Sequence, residues 1–243
     1  MKRILVLGET SSLFKKLEFR HEPTEFEFVY SSEIKWRLGA WVEQIDKFDL
    51  CIDFAHSRVD PNLNLLGTRI LAEQFGHKMV YISSLSAHCD SRSVYAQNKF
   101  ACEQIVISSL GSVISLGIFL DSEVNGIYKF LVKTPFSKYT RIFPFSGPLL
   151  PVTQTSELET LLNEICSKGI EEYPKKHHLY SSQISISQIL NMNQFSWEKK
   201  LNLFLDKVFL IFLNHSHRFL GGKDNLMDRI LTIVSTTENF EIG

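Results

Sequence analysis

The sequence predicts a doubly wound α/β protein: an open, mostly parallel sheet with helices on both faces. Three observations predict it. Short apolar runs alternate with helix-period segments through the first 120 residues, the order that right-handed β-α-β crossovers produce. The first run, Ile4-Leu5-Val6-Leu7, leads directly into Gly8, where such a fold turns from its first strand towards a ligand. From about Lys129 the texture changes, as Pro135, Pro144, Gly147, Pro148 and Pro151 break the chain into loops and short elements. The expected division is a core over 1–120 and a substrate region with C-terminal helices over 121–243, interleaved with that core.

The elements follow in order. Strands are expected at Ile4–Leu7, Phe26–Tyr30, Leu50–Phe54, Met79–Ile82 and Val113–Phe119, each a short apolar run. Helices are expected at Ser12–Glu18, Ile34–Asp46, Asn62–Phe75 and Ser93–Leu110. Pro61 after Asp60 suits a helix start and Gly76 a helix end, while Ser91 and Ser93 suit an N-cap. Beyond the core, Ser156–Cys166 reads as a helix and Leu179-Tyr180, preceded by Lys175-Lys176-His177-His178, as a short strand, with the remainder helical in pattern.

Composition sets bounds on function. With 243 residues, 44% hydrophobic and 22% charged, the chain can bury a sizeable core. A net charge of −1 gives no general reason to bind nucleic acid or an anionic membrane. Cys51, Cys89, Cys102 and Cys166 form no C-x-x-C pair and read as reduced thiols of a cytoplasmic protein, with no metal site expected. No apolar run reaches the ~20 residues that span a bilayer. The greasiest stretch, Val208 to Leu213 within 201–213, reads as core or dimer packing rather than as a membrane-surface helix. No P-loop, zincin or nucleophile-elbow motif is present.

The chemistry-bearing stretch is Tyr95-Ala96-Gln97-Asn98-Lys99, eleven residues after Ser84, which follows the apolar run Met79–Ile82. Residues four apart share a helix face, so the Lys99 ammonium can sit beside the Tyr95 phenol. A cation there favours phenolate and makes the tyrosine a usable acid/base near neutral pH. Ser84 can hydrogen-bond the oxygen that gains or loses the proton.

These residues resemble, in order, the extended short-chain dehydrogenase/reductase family, the branch of nucleotide-sugar epimerases and dehydratases. Ile4 to Gly8 resembles the opening of its dinucleotide site, and Asp49 to His56 the strand ending beside the cofactor. Asn64-Leu65-Leu66-Gly67-Thr68 resembles its N-x-x-G-T motif, and Tyr81-Ile82-Ser83-Ser84 the strand bearing the catalytic hydroxyl. Tyr95 and Lys99 resemble its Tyr/Lys pair, and Pro151-Val152 with Ser156-Glu157-Leu158 its return to the core. The resemblance covers about residues 1–165. It implies a Rossmann-type core and catalysis by Ser84, Tyr95 and Lys99. It implies cofactor contacts from Gly8, Thr10, Ser11, Ser12, Leu13, Ser31, Ala55, His56, Asn64, Tyr95 and Lys99. His56 would line the nicotinamide-ribose site or cap its strand; Asn64 would be a structural hydrogen-bonder or a relay member.

Departures accompany the likeness. The glycine loop reads Gly8-Glu9-Thr10-Ser11-Ser12-Leu13-Phe14, with Ser11 and Phe14 where the second and third glycines belong. Ser31 to Asp49 is too short for a helix, a third strand and a further connection. Tyr30-Ser31-Ser32 lacks the acid that would bind an adenosine ribose, and Ser31, Ser32, Lys35 and Arg37 lean towards NADP over NAD, with Glu33 arguing the other way. Val113 to Ile118 lacks the family's Arg-Pro, and the short Ser84–Tyr95 loop implies a smaller lid. His177-His178 beside two lysines and His215-Ser216-His217 read as solvated surface.

The resemblance therefore implies an NAD(P)-dependent oxidoreductase or epimerase/dehydratase acting on a sugar nucleotide or related carbohydrate, in polysaccharide synthesis. A homodimer through Asn62–Phe75 and Ser93–Leu110 is the implied assembly. The alternative is a non-catalytic or regulatory relative with weakened or lost cofactor binding.

Overall fold

Strand Lys2–Leu7 (β1) sits at the centre of the first half of the sheet, and its residues Ile4 to Leu7 are fully shielded from solvent. A strand covered on both faces needs such an unbroken apolar run. The computed structural model describes residues 2–18, 26–31, 45–57, 60–91, 93–120, 149–171 and 173–185. β1 pairs in parallel with Phe26–Ser31 (β2) on one side and Leu50–Asp53 (β3) on the other. Met79–Ser84 (β4) and Ser112–Leu116 (β5) continue the sheet. Leu149–Val152 (β6) lies outside it, and Lys176–Leu179 (β7) returns to pair in parallel with β5. The order is β2-β1-β3-β4-β5-β7, and β6 forms a separate antiparallel pair with Ser182–Ser185 (β8).

Among the described residues no strand stands between β2 and β3, and β3 pairs directly with β1. Most of the expected helix Ile34–Asp46 lies outside the described residues, which resume at a 3₁₀ turn over Ile45–Lys47. Residues 121–148 and 186–243, with the 201–213 segment and His215 and His217, also lie outside them.

Helix Pro61–Phe75 (α1) starts where Asp60 accepts the N–H groups of Asn62 and Leu63, and it stops at Gly76. Helix Val94–Ser108 (α2) is capped by the Ser93 hydroxyl, which accepts from Ala96 N–H. These two cover one face of the sheet and pack on each other, burying Leu71, Phe75, Cys102 and Val106 against Leu5, Met79 and Val113. The second buried face of α2 is thus covered by α1 of the same chain. Helix Thr155–Lys168 (α3) covers the other face with Leu158, Leu162 and Ile165. Glu157 receives the Gln154 N–H at its start.

Three expectations are corrected. The helix expected at Ser12–Glu18 is only a 3₁₀ turn, Phe14–Lys16. Phe14 and Leu17 both turn into the α3-side core, Phe14 edge-on to Phe54 at 5.4 Å, and the chain is already extended at Leu17. Residues three apart eclipse in 3₁₀ geometry, which puts both side chains on one face but does not propagate. β5 ends at Leu116 rather than Phe119, because the next residues turn to β6. Ile118 N–H donates to Pro151 and Gly117 N–H to the Thr153 hydroxyl. A Cβ on Gly117 would stand 2.5 Å from the Pro151 oxygen. Finally, residues 182–185 are strand, not helix: β8 pairs with β6 from Leu149–Ser185 to Val152–Ser182.

On β7, burial foremost, with Lys176 and His177 adding to it, lowers His178 to about 4. Between about pH 6.5 and 4 the unfolded chain therefore takes a proton that folded His178 refuses. Its contribution to stability is complete above pH 6.5 and is lost as pH falls towards 4. Relative to His178→Gln, the wild type should lose about 1 kcal/mol between pH 7 and 5, allowing for screening of a half-buried side chain. Urea titrations of both proteins at the two pH values check this; an equal change in unfolding free energy in wild type and variant would refute it.

Candidate active site

The carboxyl ends of β3 and β4 hold the expected chemistry-bearing residues, as ligand sites of doubly wound sheets do. β4 is buried through Ser83, and Ser84 at its end is half-buried. A turn follows at once, with Ala87 N–H donating to the Ser84 carbonyl. That turn brings the fully buried Ser86 hydroxyl within 3.0 Å of the Ser84 hydroxyl, and Ser86 N–H donates to the same oxygen at 3.3 Å. Ser86 was not singled out from the sequence. The available signal was a serine two residues past a strand-ending serine, where hydroxyl and backbone close local turns.

The rest of the β4–α2 loop is built by serines. Ser91 N–H donates to His88, and the Gln97 side-chain amide donates to the Ser91 carbonyl. Ser93 then caps α2 and puts Tyr95 in its first turn. On this loop His88, Cys89 and Asp90 gather potential ligand atoms within 4.8 Å of one another. The His88 Nδ1 already accepts the Asp90 N–H, so its lone pair is engaged locally.

Lys99, one turn beyond Tyr95, is only 4% exposed. Its ammonium donates to the Ile82 carbonyl at 2.8 Å and stands 4.5 Å over the Tyr81 ring. Burial above all, with Cys102, Asp53 and Tyr95 adding to it, holds the Tyr81 phenol well above its usual pKa. Tyr81 therefore stays a neutral phenol and offers Lys99 an aromatic face. The Tyr95 ring meets His56 edge-on, with centroids 4.8 Å apart. The fold thus brings Ser84, Tyr95, Lys99 and His56 to one end of the sheet.

Asn64 is fully engaged as scaffold. Its carbonyl oxygen accepts Ser57 N–H, and its amide donates to the Ser57 carbonyl and to Asn98. Asn98 in turn donates to the Pro61 carbonyl, which ties the β3–α1 loop to α2.

At the end of β1, Gly8 has φ +81°, and a Cβ there would stand 2.5 Å from Ala55 N. The two strand ends meet backbone to backbone, with Phe54 N–H donating to Leu7 and the Asp53 carboxylate accepting Ala55 N–H. Ser31 ends β2 in register with Leu7. Thr10 and Ser12 are exposed, Glu9, Ser11 and Leu13 half-buried. The Ser11 hydroxyl accepts Phe14 N–H at 3.1 Å, so this loop closes on itself where the resemblance implies a helix N-terminus for phosphate.

No protein-family model matches the chain, and no curated protein matches it in sequence. Solved structures match its fold. A dTDP-4-dehydrorhamnose reductase from Yersinia enterocolitica is 17% identical with a TM-score of 0.57, covering 79% of each chain. A dTDP-glucose 4,6-dehydratase from Bacillus anthracis, in complex with NAD, is 12% identical with a TM-score of 0.56, covering 79% of this chain and 82% of that one. A UDP-N-acetylglucosamine 4-epimerase from Bacillus cereus is 13% identical with a TM-score of 0.54, covering 87% of this chain and 96% of that one. At these identities the likeness is one of architecture: the chain has the fold of the extended short-chain dehydrogenases/reductases.

Proposed function

We propose that this protein is an NAD(P)-dependent oxidoreductase or epimerase/dehydratase acting on a sugar nucleotide or a related carbohydrate. The observation that carries the reading is the buried Lys99 ammonium, held at the carboxyl end of β4 on the helix that carries Tyr95 one turn earlier. On this reading it serves a ribose hydroxyl and the Tyr95 oxygen. Tyr95 is the general acid/base, and Ser84, oriented by Ser86, holds the reacting hydroxyl or carbonyl of the substrate. The bound nicotinamide supplies the hydride exchange.

The residues fit that cofactor unevenly. Lys99, Tyr95 and His56 suit the nicotinamide-ribose end. Gly8, whose missing Cβ keeps the first turn against the β3 end at Ala55, suits the pyrophosphate. Thr10, Ser11, Ser12 and Leu13 complete that turn, and Ser31 lies towards the adenosine. NADP is favoured over NAD by the residues after β2. The substrate class is supported by what the structural neighbours are named for, and by the end of the sheet at which the residues gather.

A second reading has its own observation. Phe14 is packed into the core, and only a three-residue turn follows the glycine loop, which removes the helix terminus that usually faces a pyrophosphate. On that reading the protein is a non-catalytic or regulatory relative with weakened dinucleotide binding. Fluorescence titration with NADH and NADPH separates them: micromolar binding supports the enzyme, and no binding at millimolar cofactor overturns it. The proposal includes a homodimer through the outer faces of α1 and α2, where Leu66 is 47% exposed. Light scattering at the monomer mass would reject that assembly.

A further inference from the structure

We propose that Glu103 is a positioning residue for the Tyr95/Lys99 pair, an inference that rests on the functional reading above. Tyr95, Lys99 and Glu103 stand at i, i+4 and i+8 on α2 and form one stripe along the helix. Glu103 is completely buried. Its Oε1 accepts the Ser115 hydroxyl on β5 at 3.1 Å, and its Oε2 accepts the Lys176 ammonium on β7 at 2.7 Å. With Lys99 donating to Ile82 on β4, the stripe is joined to three neighbouring strands.

The apolar pattern of α2 does not fix its rotation by itself. Ala96, Cys102 and Val106 are buried, yet Phe100, Ile105 and Ile107 on other faces are half-buried too. The buried side of α2 also carries the polar Asn98, Lys99 and Glu103, so apolar burial alone holds its rotation weakly. Lys99 holds through four flexible methylenes and acts as a tether. Asn98 ties α2 only to α1, which can shift with it. The short Glu103–Ser115 contact, clamped by Lys176, is the rigid one. A rotation of about 20° at a side-chain radius of roughly 5–6 Å moves a side chain by about 2 Å. Displacements of that size cost catalysis far more than they cost folding.

The test uses the ring contact between His56 and Tyr95, which requires neither cofactor nor substrate. In protein labelled at His and Tyr, a His56–Tyr95 NOE is expected from centroids 4.8 Å apart, assigned by its loss in Tyr95→Phe. Glu103→Leu removes both strand contacts and leaves Lys176, 30% exposed, free to reach water. It should stay folded and lose at least half of that NOE. Glu103→Gln, whose amide oxygen can accept from Lys176 while its NH2 donates to the Ser115 hydroxyl oxygen, should restore it. A full-strength NOE in folded Glu103→Leu overturns the proposal. Should that variant not fold, Glu103→Met/Lys176→Met carries the same test, since an apolar pair replaces a buried ion pair with little loss of Tm. NADPH titration of the wild type is run beside it. A lost NOE without wild-type cofactor binding rejects the functional reading and keeps the positioning role; the reverse pattern rejects the positioning role alone.

Discussion

Gly8→Ala is expected to destabilise the protein by about 2–5 kcal/mol, the largest effect of any single methyl group in the described residues. Two costs add. At φ +81° an L side chain is strained by about 1–2 kcal/mol. The new Cβ would also stand 2.5 Å from Ala55 N, 2.7 Å from the Phe54 carbonyl carbon and 2.8 Å from Ala55 Cα. All three are backbone atoms at the buried end of β3, so no flexible side chain can yield, and overpacking adds about 1–3 kcal/mol. For a chain of this length that is a fall in Tm of about 4–20 °C. Gly76→Ala is the comparison. It also has positive φ, but a Cβ there would come no closer than 3.5 Å to the Ser109 oxygen. It should cost about 1–2 kcal/mol, the strain alone. Thermal melts of the two variants check the difference; equal shifts would show that the Gly8–Ala55 approach is not what the glycine serves. Residual folded Gly8→Ala should also bind NADPH poorly, because the same approach shapes the turn assigned to the pyrophosphate.

Tyr95→Phe is expected to lower turnover by about 10²–10⁴-fold while leaving cofactor affinity nearly unchanged. The phenylalanine keeps the ring against His56 and removes only the hydroxyl that would carry the proton. Lys99→Met should behave differently, losing both turnover and cofactor affinity, since its ammonium is assigned to the ribose as well as to the phenol. It should also lose some stability, because the Ile82 carbonyl and the Tyr81 ring lose their cation. Steady-state kinetics over a panel of nucleotide sugars, with NADPH titration of each variant, make the measurement. Undiminished turnover in Tyr95→Phe would refute the assignment of the acid/base.

Much of the fold was legible because a doubly covered parallel strand writes itself into sequence as an apolar run. β1, β3, β4 and β5 lie where Ile4, Leu50, Met79 and Val113 open such runs. Local capping was legible for the same reason of proximity: Asp60, Pro61, Gly76 and Ser93 act within a few residues of themselves. The short interval between Ser31 and Asp49 pointed to a curtailed first half, and most of that interval lies outside the described residues. The pairing of a strand-ending serine with Tyr and Lys four apart was also a local pattern, since helix periodicity alone puts Tyr95 and Lys99 together.

What the sequence could not decide depends on partners far along the chain. Phe14, standing where a glycine belongs, packs edge-on against Phe54, forty residues on, and a 3₁₀ turn stands there in place of a helix. Ser182–Ser185 is strand only because β6 offers it an antiparallel edge; its own residues do not favour either state. Ser86 became visible when a turn folded it back on Ser84. Glu103 would pass for a solvated helix position until β5 and β7 bring Ser115 and Lys176 to it, seventy-three residues away in the case of Lys176. The sequence by itself determined the order of strands β1 to β5, the limits of α1 and α2 and the residue types available for proton transfer, because those follow from backbone period and near neighbours. Only the tertiary structure decided which buried polar groups meet, because a hydrogen bond is set by distance and direction in space, and neither is encoded at any one position.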